Sequence, residues 1–374
     1  MRQDTTGINA DGHARAGKTA HSWDWSGELT DGTAAQAAAP SVQPAPVPAP
    51  PLLPGPLGWP TPPPAPAAPA AAPPPASTDA AAPAAIANVA VTQAYPALYV
   101  FGGSLCDVGN EFAEDGGTQP VAPNYEGTYS NGPLWIEDYA ADMGMAAPMP
   151  SLLGGTDFAY AGAQTGAPDL GGTGFDLPEQ YAEFTQQVPD PTPGALYVID
   201  FGVNDLDAIL RTGASIPQME SAVTESVQTE IAYIGALAAL GATNFLVLNV
   251  PDFGVTPKEI DAGPTAQAEA TNLSIDYNSQ LSALLVPAAV GDHVNVDLID
   301  TFSLVDSIVA NPTAYGFDNV TTPVWDGNDT NPNSGTLAAT TPEAQDKYFF
   351  WDMMHPTASG QALIAAAAEN LTFG

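Results

Sequence analysis

The chain has 374 residues, 45% of them hydrophobic, and sets 42 Asp+Glu against 6 Lys+Arg for a formal charge of -36 at pH 7. That length suits one large or two ordinary domains. The charge excludes nucleic acid as a partner, because phosphate binding needs a basic surface, and anionic membrane surfaces would repel the chain. The one cysteine, Cys106, excludes an internal disulfide. No Cys/His cluster offers a zinc site, and no run reaches the ~18 apolar residues of a membrane span.

The first residues, MRQDTTGINADGHARAG, carry charge with no apolar stretch behind them. They do not read as a Sec signal peptide, so any secretion or placement in the cell envelope is expected by a non-Sec route. Residues 1–33 are polar and aperiodic and read as a disordered head. Residues 34–94 are mainly Ala and Pro, as in APVPAPPLLPGPLGWPTPPPAP. Pro lacks an N–H and fixes φ, so this stretch reads as an extended, semi-rigid linker.

From residue 95 onward the texture changes. ALYVFG, ALYVIDFG, NFLVLNV and VNVDLID, over 96–300, are short apolar runs rich in β-branched and aromatic residues and read as buried strands. Between them lie helical patterns. Val223, Val227, Ile231, Ile234, Leu237 and Leu240 recur at spacings of three and four, with Gly241 as a stop. Residues 267–288 and 357–371 also read as helices. Strand–helix alternation predicts an α/β fold, a parallel sheet covered on both faces. This domain, 95–374, holds all but six of the acids and only three bases, Arg211, Lys258 and Lys347.

Ligands in open α/β sheets sit beyond the carboxyl ends of the strands. Three features fall there: Ser104 in FGGSLCDVGN, Asn204 in GVND, and WDMMHPTASG at 351–360. A serine nucleophile needs a base. His13 and His21 lie in the head, and His293 precedes a strand, at the opposite end of the sheet. His355 remains, with Asp352 three residues earlier as its orienting carboxylate. An oxyanion needs preorganised donors. The candidates are the Asn204 amide, the Ser104 N–H and an N–H of the Gly-rich GGTDFAYAGAQTG, most simply that of Gly162. Cys106 reads as a small buried residue rather than a second nucleophile. The oxygen-rich DGNDTNPNSG (326–335) reads as a solvated loop, since its spacing fits no full EF-hand.

FGGSLCDVGN, TDFAYAGA, GVND and WDMMHPT, in this order, resemble the four motif blocks of the GDSL, or SGNH, family of serine esterases and lipases. NVPDFGVTP, YNSQL and NPTAYGFDNVT are similar to its lipase and phospholipase/acyltransferase-like branch. The resemblance implies a flavodoxin-like three-layer α/β/α sandwich and ester hydrolysis without a metal or other cofactor. It matches Ser104 to the nucleophile, Asp352 and His355 to acid and base, and Gly162 and Asn204 to the oxyanion hole. Gly103 departs from it by standing where the family's Asp is usual, and Ala161 by replacing a common glycine. The expectation for Gly103 is a looser turn that tunes the site without disabling it.

The expected function is therefore hydrolysis of a carboxylic ester, of lipid or fatty-acyl type, through an acyl-Ser104 intermediate. The expected partner is that small-molecule or lipid ester. Two rivals use the same residues: a polysaccharide O-deacetylase, and a catalytically silent envelope or binding protein. Oligomeric state is not legible in the sequence.

Overall fold

The computed structural model describes residues 95–372, except 168, 169, 171, 329, 330, 332 and 333. The expected polar head and Pro/Ala-rich linker lie outside the described residues. The four apolar runs form β1 (Leu98–Gly102), β2 (Leu196–Asp200), β3 (Asn244–Leu248) and β4 (Asn295–Ile299). They pair in parallel in the order β1-β2-β3-β4. The register matches Leu98 with Leu196, Leu196 with Asn244, and Asn244 with Asn295. All carboxyl ends therefore fall at one edge.

A further extended segment completes the sheet. Val100 donates its N–H to Thr156 at 3.1 Å, and its carbonyl accepts from Phe158 at 2.8 Å; Gly102 accepts from Tyr160 at 3.1 Å. Counted as a second strand, 156–160 gives the spatial order 2-1-3-4-5, the flavodoxin-like order. The sequence reading took this stretch for a Gly-rich turn.

Helices fill the connections: α1 (Asn110–Glu114), α2 (Trp135–Asp142), α3 (Leu177–Gln187), α4 (Val203–Arg211) and α5 (Ile216–Ala239). After β3 come α6 (Pro257–Ala262) and α7 (Pro264–Asp292); after β4 come α8 (Thr301–Ala310), α9 (Pro342–Gln345) and α10 (Ala358–Thr372). Strand residues alternate between two cores. Tyr99, Phe101, Tyr197, Ile199 and Phe245 pack with Phe184 of α3, Val223 and Val227 of α5 and Tyr277 of α7. Leu98, Val100, Leu196, Val198 and Leu246 pack on the other face with Trp135 and Tyr139 of α2 and Ile364 of α10. Helices on both faces of a parallel sheet make the predicted three-layer α/β/α sandwich. Helix α7 runs past the expected end at 288 and carries Pro287 inside it. Its flank there is exposed at Val286 and Val290, where losing one N–H costs less than in a buried turn.

Candidate active site

The site is built where β1 and β2 end. The Gly103 carbonyl accepts the N–H groups of Cys106 (3.1 Å) and Asp107 (3.0 Å), folding the chain into a tight turn around Ser104. Gln180 of α3 holds the strand end below. Its amide oxygen accepts the Gly102 N–H at 3.0 Å, and its amide nitrogen donates to the Gly102 carbonyl at 2.8 Å. Asp107 clamps the far side of the turn. Its carboxylate accepts the N–H groups of Gly109, Asn110 and Glu111, and of Ala161 at 2.8 Å. Burial raises the Asp107 carboxyl to about 6 against the pull of those bonds.

His355 arrives from the other end of the domain. His355 Nε2 lies 2.7 Å from Ser104 Oγ, and Nδ1 lies 2.7 Å from Asp352 Oδ2. The other Asp352 oxygen accepts the N–H groups of Met354 (2.8 Å) and His355 (2.7 Å). Because a carboxylate only accepts, Nδ1 carries the proton and Nε2 is left to accept from the serine. Asp352 and His355 are both buried, whereas Ser104 is half-buried.

Asn204 stands in the first turn of α4. Gly202 makes that helix start possible: its φ is +105°, and a Cβ there would lie 2.5 Å from Val250 Cγ2 and 2.7 Å from Tyr277 Cζ. Asn204 Nδ2 donates to the Ala163 carbonyl at 2.9 Å, which brings its amide beside the turn containing Gly162. In that turn the Ala161 N–H is held by Asp107 and the Ala163 N–H by the Tyr160 carbonyl at 3.1 Å. Gly162, with φ +77°, presents the intervening N–H.

Gly103 does something other than loosen the turn. A Cβ at that position would stand 2.8 Å from Asn204 Nδ2. The missing side chain lets the Asn204 amide come this close to the turn, and the paired bonds to the Gly103 carbonyl hold the turn.

Ser104, Asn204 and His355 open onto a cavity of about 70 Å³. Its walls include Phe201, Val203, Phe253, Val305, Phe349 and Phe350, with Asp200 at the end of β2. Burial lifts the Asp200 carboxyl to about 6. Cys106 is fully buried and donates Sγ–H to Asp200 Oδ2 at 3.2 Å, so the thiol packs beneath the turn as expected.

The family model of the GDSL-like lipase/acylhydrolase matches residues 98–368. The chain belongs to this family. Lipase 1 of Photorhabdus luminescens is 25% identical to this GDSL-family chain over 342 residues, 75% of this chain and 50% of that protein. An acetylesterase of Thermothelomyces thermophilus is 27% identical over 245 residues, covering 60% and 76% of the two chains. A GDSL esterase/lipase of Arabidopsis thaliana is 24% identical over 335 residues, covering 72% and 82%. The GDSL-family chain thus spans half the length of the Photorhabdus protein.

The remaining expectations sit outside this centre. His293 ends α7 in a left-handed conformation, φ 57°, ahead of β4 and far from the strand ends that carry Ser104. In the 326–335 loop, Asp326 accepts from Thr336 N–H and Oγ1. Among the described residues no group of three His, Cys, Asp or Glu is arranged to hold a metal ion, and no helix is long and apolar enough to cross a membrane. Reading the sequence missed two residues that shape the turn, Asp107 and Gln180. Only Asp107 left a signal, an acid three residues after the serine and two before Gly109-Asn110.

Proposed function

We propose that this protein hydrolyses carboxylic esters with an apolar acyl group, with Ser104 as nucleophile, His355 as base and Asp352 as its orienting carboxylate. The observation that carries the reading is the unbroken pair of 2.7 Å contacts from Ser104 Oγ through His355 to Asp352 at the mouth of an apolar cavity. The Ser104 Oγ–H proton passes to Nε2 as Oγ bonds to the ester carbon. The carbonyl oxygen becomes an oxyanion, accepting from the Ser104 and Gly162 N–H groups and the second Asn204 amide hydrogen. Collapse breaks the ester C–O bond, and the imidazolium gives its proton to the departing alkoxide oxygen. Water then repeats the sequence on the acyl-serine and releases the acid. Asp352 keeps its charge throughout and stabilises the imidazolium.

The aromatic and aliphatic cavity walls favour a fatty-acyl or other apolar acyl half. The test is kcat and KM on p-nitrophenyl esters of increasing chain length. Activity should rise beyond acetate, and Ser104→Ala should lower kcat by about 10⁶. A wild-type rate in Ser104→Ala would overturn the assignment. A preference for acetate alone would overturn the acyl class.

A further inference from the structure

One face of the His355 ring is covered by Tyr129, and nothing in the acyl-transfer steps above uses that residue. The ring centroids are 5.0 Å apart with the planes tilted by 37°, nearer to stacked than edge-on. Tyr129 is buried, and its hydroxyl donates to Glu111 Oε2 at 2.6 Å.

The surrounding segment is docked against the histidine loop on both sides. Asn124 Oδ1 accepts Trp351 Nε1–H at 2.6 Å, Ser130 Oγ donates to the Pro356 carbonyl at 3.1 Å, and Asn131 Oδ1 accepts the Ala358 N–H at 2.8 Å. At Gly132 a Cβ would lie 2.8 Å from Ala358 Cβ. These contacts bracket residues 351–358 and fix the phenol ring on the imidazole. Glu111 belongs to α1 and its own N–H is held by Asp107. The Tyr129–Glu111 bond therefore ties the histidine side of the centre to the serine side.

An aromatic face attracts a cation within about 6 Å of its centroid. A phenol that donates to a carboxylate has more electron density in its ring. The imidazole becomes a cation only while it holds the serine's proton, so this attraction acts where the barrier lies.

We propose that Tyr129, held by Glu111, is a positioning residue that supports the His355 imidazolium. The inference rests on His355 being the base. The other charged groups near the loop are engaged elsewhere. Asp352 holds Nδ1. Lys258 of α6, whose N–H donates to the Met353 carbonyl, pairs through Nζ with Asp207 of α4. Asp200 of β2 accepts from Cys106, and Asp252, after β3, accepts from Gly254 and Thr271. Glu126, on the same segment as Tyr129, is exposed.

The test is the pH profile of kcat/KM for the full chain on p-nitrophenyl butyrate, with Tyr129→Leu, Tyr129→Phe and Glu111→Gln beside wild type and Ser104→Ala. Tyr129→Leu should lower kcat about 10-fold with KM changed less than twofold. Its acid limb should fall at a pH about 0.5–1 lower, because less support for the cation makes the base harder to protonate. Tyr129→Phe and Glu111→Gln keep the ring and should shift both readings the same way by less. A loss of rate with the acid limb unmoved would mean packing alone and would overturn the proposal. If Tyr129→Leu does not fold, an unmoved limb in Glu111→Gln overturns it equally. An inactive wild type, or an active Ser104→Ala, would instead strike the reading on which the inference rests.

Discussion

Replacing Asp352 with asparagine changes one oxygen into an NH₂ and almost no volume, and the structure dictates how the new amide must lie. One Asp352 oxygen accepts two backbone N–H groups and the other accepts His355 Nδ1–H. If the amide oxygen stays on the two backbone donors, the NH₂ faces Nδ1. The ring must then accept at Nδ1 and carry its proton on Nε2, pointing at Ser104. That tautomer cannot take the serine's proton. The flipped amide keeps the productive tautomer but sets an NH₂ against two backbone N–H groups, one in a buried bond and one in a part-buried bond. Donors left without acceptors cost up to about 1–3 kcal/mol each. The productive form is therefore disfavoured by roughly 2–6 kcal/mol, or about 30-fold to 10⁴-fold in population. The neutral amide also gives up stabilisation of the imidazolium, which brings the expectation to the upper end, a kcat lower by about 10³–10⁴. KM should change little and the melting temperature by only a few degrees, since shape and backbone bonds survive. The assay is initial rate on p-nitrophenyl butyrate at pH 8, with melting followed by circular dichroism. A kcat within tenfold of wild type would refute the reasoning.

Gly103→Asp should fold, because Gly103 does not lie at positive φ, but its Cβ would displace the Asn204 amide 2.8 Å away. The expected result is a kcat lower by about 10²–10³ with KM nearly unchanged, and wild-type rates would show that the amide's place is not critical. Glu230, buried among apolar side chains and bonded by the Tyr277 hydroxyl at 2.6 Å, has its carboxyl pushed up from 4.5 to about 8. The folded protein then binds the extra proton between about pH 4.5 and 8, so stability falls as pH rises through that window, on the order of 5 kcal/mol in all. Glu230→Gln should flatten that fall, and melting temperatures from pH 5 to 9 with the wild-type slope would contradict it. Residues 95–374 carry three bases among their acids, and two of them, Arg211 and Lys258, converge on Asp207. Self-repulsion of this kind is screened by salt, so the melting temperature should climb with NaCl to 2 M; a flat or falling curve excludes the idea.

Much of the architecture was legible because β1, β2 and β3 are buried on both faces and read as near-continuous apolar runs. The His355 assignment was legible for a different reason: only four histidines exist, and one falls beside an acid at the right end of the sheet. What escaped depends on contacts between distant parts of the chain. The 156–160 segment alternates too briefly to announce a strand, and only its bonds to Val100 and Gly102 make it one. Gln180 looks like any polar helix residue until Gly102 is beside it. Tyr129 meets His355 across more than two hundred residues, and no local pattern marks that meeting. Gly103 is the instructive case. Chain flexibility is the natural inference from glycine; what the sequence alone does not show is that a Cβ there would stand 2.8 Å from the Asn204 amide.

Ser104 enters with the first strand, whereas His355 stands directly ahead of α10. A ribosome that has delivered β1 through α8 has made the serine, the amide donors and most of the cavity wall, but no base. Ser104 has no His355 beside it until the 351–358 loop closes against residues 124–132. On the proposed function, growing chains should be inert toward esters, and the appearance of activity should time the docking of the last element. Stopped-flow refolding should show ester turnover emerging together with the burial of Trp351 in that loop and never before it.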